Sequence, residues 1–228
     1  MSTQGLKPAA GRIQRPVPLR EAVYEAILDL ITTRALSPGQ HLVETELAEQ
    51  LGVSRQPVRE TMQRLSNEGW VDLHPGYGAF VHTPTETEAD QLLVVRSLLE
   101  TESARLAAEN ATAEQVALLR ELVTSGRAAA ETGDTEVVVR VNAEFHRTVT
   151  AASGNKVLTE LAAQVDRRVR WYYTPVARIR GSASWDEHER LVDAIEARDV
   201  STASVLMNEH TERTRLTYNE YAGGEGEI

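Results

Sequence analysis

The stretch that most constrains the fold is Glu44 to Gly69, ETELAEQLGVSRQPVRETMQRLSNEG. Leu47, Ala48 and Leu51 make the apolar stripe of a short first helix, over about 44–50. Gly52 can take the left-handed conformation that ends a helix without steric cost, and Ser54 is a good N-cap for a second helix. Pro57 then falls in a first turn, where backbone N–H groups lack intrahelical partners anyway. Val58, Met62 and Leu65 recur at i, i+4 and i+7 and give this second helix one buried stripe. Arg55 and Arg59 lie on a flank of it, while Gln56 and Gln63 point away. Such a helix, braced by a short one before it, suits the major groove of DNA, because Arg can read guanine O6 and N7 in two bonds and Gln can do the same for adenine. A surface helix pair with no nucleic-acid role has the same spacing, so this pattern alone leaves both readings open.

The residues beyond Asn67 favour DNA. Gly69 to Leu73 reads as a helix stop and a short strand, His74-Pro75-Gly76-Tyr77-Gly78 as a turn, and Ala79-Phe80-Val81 as a return strand. A helix–turn–helix with a β-hairpin after it is a winged helix, whose hairpin tip reaches the DNA beside the recognition helix. The pattern LxxxxLAxxLGVSRxPVRExxxRLxxEGWV, within about Pro18 to Val81, resembles the DNA-binding domain of the GntR family of bacterial transcription regulators. The resemblance implies that Ser54, Arg55, Gln56 and Arg59 contact operator DNA, with Thr45 at a position that can carry a base-reading Arg in this family and His74 and Gly76 in the wing tip. The threonine and the weakly basic wing are departures that bear on which bases are read.

Charge divides the chain in the same place. The net charge of −10 is unusual for a DNA binder, but residues 1–84 hold eight Lys and Arg against nine Asp and Glu, a net −1. The remaining sixteen and twenty-five give −9. Screening limits electrostatic reach to roughly 10 Å, so the nearly neutral half sets phosphate attraction. With 228 residues there is room for two small domains. No apolar run is long enough for a membrane span, no signal-peptide apolar region is present, and the absence of cysteine fits a reducing cytoplasm.

The expected organisation is a flexible arm over 1–17, mildly basic through Arg12, Arg15 and the nearby Arg20, then a winged helix over 18–83 whose supporting helix is Leu19 to Ala35. A linker over 84–90 leads to a helical ligand-sensing and dimerisation domain over 91–221, and 222–228 is a frayed tail. Beyond the linker no strand signal occurs. Six helices are expected, at about 86–109, 113–131, 134–153, 155–178, 184–198 and 199–221, packed as an antiparallel bundle. The fold class is thus mainly α, with one small hairpin.

Three histidines fall in three of these helices: His146, His188 and His210, with Asn142 one turn before His146 on the same face. Three imidazoles and an amide oxygen could form a zinc-type site with open positions, although scattered helical histidines are more often solvated or hydrogen-bonded. NAEFHRTVTAASGN, EHERLVDAIEARD and AxxxMNEH, over about Ala89 to Thr214, resemble the metal-binding, ligand-sensing domain of the FadR-type (FCD) branch of the GntR family. The resemblance implies Asn142, His146, His188 and His210 as ligands of a divalent metal, zinc first and nickel or another ion as alternatives. Many relatives carry Asp where this chain has Asn142, and a neutral amide should bind the ion less tightly. Arg96 lies in LLVVRSLL, apolar nearly all round, so its guanidinium needs an anion. That partner is either Glu100, one turn on, or the carboxylate of a bound small organic acid. Trp171, Tyr172 and Tyr173 could line the same pocket or belong to the core.

Together these features point to a homodimeric transcription regulator, a repressor by the habit of the family, that binds an inverted-repeat operator on double-stranded DNA and responds to a carboxylate effector. The sequence leaves two rivals. One is a metal-free regulator of an apolar acyl ligand; the other is a metallohydrolase, against which no Glu or Asp stands out as a general base.

Overall fold

The computed structural model describes residues 18–225, apart from the side chains of 170, 172–175, 178 and 222–225. The basic arm with Arg12 and Arg15, and the side chains of Tyr172 and Tyr173, therefore lie outside the described residues. The chain divides into two compact units, the first ending at His82 and the second beginning at Thr83, with residues 32–34 grouped with the second.

The first unit is a winged helix. Its elements are α1 (Leu19–Thr32), β1 (His41–Leu42), α2 (Glu44–Leu51), α3 (Arg55–Asn67), β2 (Val71–His74) and β3 (Gly78–Val81). The stripe predicted for α3 is its buried face: Val58 and Leu65 are 0 % exposed and Met62 is 3 %. The same core holds Val23, Ile27, Ile31, Leu47 and Trp70, and fully burying each aliphatic side chain of this size stabilises the fold by about 1.5–3 kcal/mol. Gly52 has φ 65° and its N–H donates to the carbonyls of Ala48 and Glu49, which closes α2 and sets the turn into α3.

Four local expectations need correction. The supporting helix α1 stops at Thr32, before Ala35. Ser54 occupies the N-cap position of α3, but its side chain makes no capping hydrogen bond. The wing has three strands in the order β1-β3-β2, because His41 and Leu42 pair with Phe80 and Ala79. A two-residue strand is too short to show an alternating pattern. His74 ends β2 and pairs with Gly78, which leaves Pro75, Gly76 and Tyr77 as the tip.

The second unit is a helical bundle of α4 (Glu86–Asn110), α5 (Ala113–Thr132), α6 (Thr135–Ala152), α7 (Lys156–Glu196) and α8 (Val200–Glu225). The helix α4 opens with a capping box: Glu88 N–H donates to Thr85 Oγ1 and Thr85 N–H donates to Glu88 Oε2. It therefore already covers 86–90 of the stretch read as linker. The break expected near Gly181 is a kink within α7, where Gly181 takes φ 49° and ψ −139°, a conformation open to glycine. The two arms of α7 account for the fourth and fifth expected helices. The last helix continues to Glu225, past the Gly223 and Gly224 assigned to a tail, since extending a formed helix adds a hydrogen bond per residue fixed.

Two apolar clusters fill the bundle. One gathers Phe145, Val149, Leu191, Ile195 and Met207; the other gathers Val138, Val141, Val169, Val176 and Trp185. Among the described residues no helix is long and apolar enough to cross a membrane.

Candidate DNA-reading cleft and candidate metal centre

In the winged unit, α3 and the wing enclose an open cleft of ≈ 540 Å³. Thr45, Arg55, Arg59, His74 and Gly76 all line it, together with Gln63 and Glu44. Of the expected DNA contacts, Ser54 and Gln56 are exposed but do not line this cleft. Gln56 Nε2 donates instead to Glu60 Oε1 at 2.9 Å. Among the cleft residues outside the set of contacts that the family resemblance implies are Gln63, one turn of α3 beyond Arg59, and Glu44. The Glu44 carboxylate is held below its usual range chiefly by its hydrogen bond from Arg59.

In the helical unit the three predicted histidines meet. His146 comes from α6, His188 from the second arm of α7 and His210 from α8; all three are buried, and their candidate ligand atoms lie within 4.8 Å of one another. His188 Nε2 and His210 Nε2 are 3.2 Å apart. Two ligands at roughly 2.0–2.1 Å from one tetrahedral ion would be about 3.3 Å apart, so the spacing already suits a shared cation. The His188 ring is fixed at the junction of the two apolar clusters, stacked on Phe145 at 4.1 Å and edge-on to Trp185 at 4.8 Å.

The outward nitrogens of the other two imidazoles face carboxylates. His210 Nδ1–H donates to Glu187 Oε2 at 2.7 Å, which leaves its Nε2 lone pair directed at His188. Glu187 is in turn held by Arg180 and by Arg213 Nη1, the latter at 2.7 Å from Oε1. His146 Nδ1 lies 3.0 Å from Glu100 Oε2, close enough for charge to act though angled away from a hydrogen bond. Carboxylates behind histidines are a common means of fixing ligand orientation and raising basicity. Burial works to raise Glu100, but the Arg96 and His146 charges win and hold it at about 2. For Glu187 burial is again outweighed, mainly by His210, with Arg213 and Arg180 adding to it, and its pKa is also about 2.

Burial pushes His188 well below its ordinary value, and it takes His210 down to about 4 despite the opposing Glu187 hydrogen bond. Both imidazoles are therefore neutral at pH 7, the form that ligates. Asn142 is 4 % exposed, and its Oδ1 is buried with no hydrogen-bond partner. A buried amide oxygen left unpaired is expensive, so this atom one turn before His146 fits a fourth ligand. The donor set of three imidazoles and one amide oxygen suits zinc or another borderline divalent ion.

Arg96 resolves its two candidate partners by using its edges differently. Its Nε donates to Glu100 Oε1 at 2.9 Å, while Nη1 is buried without a partner. A cavity of ≈ 410 Å³ between α5, α6 and α7 reaches Glu100 and His146, and Leu118, Thr148, Ala162 and Ala163 contribute to its walls. Trp171, one of the possible lining residues, is 2 % exposed, and neither it nor Arg96 borders that cavity; Arg96 lines a separate small pocket with Glu100, Ala162 and Asp166. Sequence spacing marks Glu100 only as a partner of Arg96, and it gives no signal for Glu187. The adjacency of Glu187 to His188 in sequence conceals that it serves His210.

Comparison with known proteins places both units. Residues 19–81 match the family described as bacterial regulatory proteins, gntR family, and residues 91–213 match the FCD domain. The HTH-type transcriptional regulator McbR of Escherichia coli is 32 % identical over 158 residues, covering 69 % of this chain and 71 % of McbR. A probable D-xylose utilization operon transcriptional repressor of Paenarthrobacter nicotinovorans is 30 % identical over 194 residues, 82 % of this chain and 83 % of that protein. The solved structure of E. coli McbR/YncC superposes with a TM-score of 0.77 at 26 % identity, covering 90 % of this chain and 100 % of that one. Regulators of this kind bind DNA, their FCD domains bind small-molecule effectors and can hold metals, and they are not enzymes, which removes the hydrolase alternative. The chain belongs to the GntR family of bacterial transcription regulators, in the branch that joins a winged helix to an FCD domain.

Proposed function

We propose that the protein is a dimeric repressor that binds an inverted-repeat operator and is controlled by a small carboxylate effector at a divalent metal site. The observation that carries the effector half is the convergence of three buried histidines beside two orphaned buried polar atoms, Asn142 Oδ1 and Arg96 Nη1. Asn142, His146, His188 and His210 would hold the ion, zinc by preference. Such an ion supplies a Lewis-acid anchor for carboxylate oxygens. Arg96 Nη1 supplies a further donor to the same acid, and Glu100 keeps that guanidinium in place. The ≈ 410 Å³ cavity beside His146 is large enough for a molecule of a few carbons, and it shares Glu100, Ala162 and Asp166 with the small pocket that Arg96 lines.

For the DNA half, Arg55 and Arg59 are the base readers, with Thr45, Gln63, His74 and Gly76 at the cleft walls and Ser54 and Gln56 on the adjoining exposed turn. A two-fold dimer presents two such surfaces, which imposes matching symmetry on the operator. The effector changes DNA affinity only by its differential affinity for the DNA-competent and incompetent arrangements, typically about 1–3 kcal/mol. Repression is favoured by the repressors among the relatives.

The test combines selection of binding sites from random duplex with metal analysis. Wild-type protein is expected to select a palindrome whose affinity falls steeply with salt, and to carry metal that His188→Ala loses. Arg59→Ala should abolish the preference with helical content unchanged. Selection of no sequence by the wild type would end the operator assignment; full metal occupancy in His188→Ala would end the site assignment.

A further inference from the structure

The reading cleft contains a carboxylate where a DNA-binding surface has least use for one. Glu44 is the first residue of α2 and faces the opening turns of α3. It accepts from Arg59 Nη2 at 2.9 Å and Arg59 Nε at 3.1 Å, and from Arg55 Nη2 at 3.3 Å. Both arginines remain 59 % exposed at the side chain, against 28 % for Glu44. An ion pair this open adds little to stability, and a negative charge here opposes phosphate, so its use has to lie in recognition.

The geometry of the Arg59 contact says what that use is. Nε and Nη2 engage Glu44 along the side edge of the guanidinium. The terminal edge, Nη1 with the second Nη2 proton, is the edge that can meet guanine O6 and N7 in two parallel bonds. We propose that Glu44 is a positioning and specificity-determining residue: it presents the end of Arg59 to base edges and repels backbone phosphate, so that the protein prefers operator over random duplex. This rests on the base-reading role proposed for Arg55 and Arg59. Phosphate recognition, through either edge, brings a second full negative charge up to the Glu44–arginine contact and is disfavoured by it. Base recognition through the terminal edge can leave it in place and profits from a side chain already held. The same carboxylate therefore penalises the non-specific complex more than the specific one.

The full-length protein tests this with an operator duplex obtained by selection and a scrambled duplex of equal length, titrated at several salt concentrations. For Glu44→Gln we expect the scrambled duplex to bind roughly three- to tenfold tighter and the operator no tighter, so that discrimination falls by at least roughly three- to tenfold. Glu46→Gln removes an exposed negative charge from the same turn and should shift both duplexes alike. Glu44→Asp keeps the charge but withdraws it from Arg59 by one methylene. It should weaken operator binding and leave scrambled binding unchanged, and it carries the test if the Gln variant proves unstable in a thermal melt. Undiminished discrimination in Glu44→Gln, or an equal loss in Glu46→Gln, overturns the role of Glu44. A wild-type protein without sequence preference overturns the DNA-reading assignment itself, and the role of Glu44 with it.

Discussion

Mild acid should loosen the metal-stripped helical unit before its buried carboxylates titrate. His210 is held down to about 4, first by burial and then by the charges of His146, Arg180 and Arg96, with the Glu187 hydrogen bond pulling the other way. In the unfolded chain the same imidazole takes its proton near 6.5. Between those values the unfolded state binds more protons than the folded one, so stability is full above pH 6.5 and is lost as the pH falls towards 4. The gap between 6.5 and about 4, at roughly 1.4 kcal/mol per pH unit, makes His210 alone responsible for about 3 kcal/mol, and about 2 kcal/mol of it is gone by pH 5. For a unit of this size that corresponds to roughly 4–8 °C in the melting temperature. Glu100 and Glu187 act in a separate window: held at about 2, they lose their contribution only as the pH falls from about 4.5 to 2. The assay is thermal unfolding of chelator-treated protein at pH 7, 6 and 5, alongside His210→Gln, whose side chain does not titrate. The wild-type melt should fall across this range and the variant's should fall less. A flat wild-type melt from pH 7 to 5, or an equal fall in the variant, refutes the reasoning.

The geometry of the helical unit sets three further outcomes. Glu187→Gln removes the carboxylate that orients His210, and metal affinity measured by competition with a chromogenic chelator should drop by roughly 10–100-fold while His146 and His188 remain in place. Asn142→Asp places a charge beside the ion: metal should bind at least about tenfold tighter, and the metal-free protein should melt lower than wild type because the new carboxylate is buried unpaired. Gly126→Ala should destabilise by about 1–3 kcal/mol in a denaturant titration and also reduce metal content. An ideal Cβ there lies 2.1 Å from the Trp185 ring, and that ring packs edge-on against His188; a gain in stability from the better helix former would contradict the packing.

Residue spacing alone reveals whatever repeats along one helix. Val58, Met62 and Leu65 announce the buried face of α3, and Asn142 with His146 announces a shared face of α6, because i and i+4 are neighbours on any α-helix. Arg96 and Glu100 obey the same rule, which is why their pairing is legible in the sequence as one of two options. The convergence of His146, His188 and His210 is different in kind, since it joins α6, the far arm of α7 and α8. Spacing cannot show it; resemblance to a family supplies the expectation, and packing around Phe145 and Trp185 supplies the physical cause. Glu187 marks where local reasoning misleads. It adjoins His188 in sequence, yet successive side chains on a helix diverge by about 100°, so it reaches the outward Nδ1 of His210 while His188 stacks on Phe145 and meets His210 at Nε2. Glu44 is hidden for a similar reason, because its partners Arg55 and Arg59 lie across the turn that Gly52 sets. Periodicity ranks residues by the face they occupy, whereas the chemistry of a site depends on which faces of separate helices are brought opposite one another. That is why the histidines are legible in the chain and the carboxylates that orient them are not.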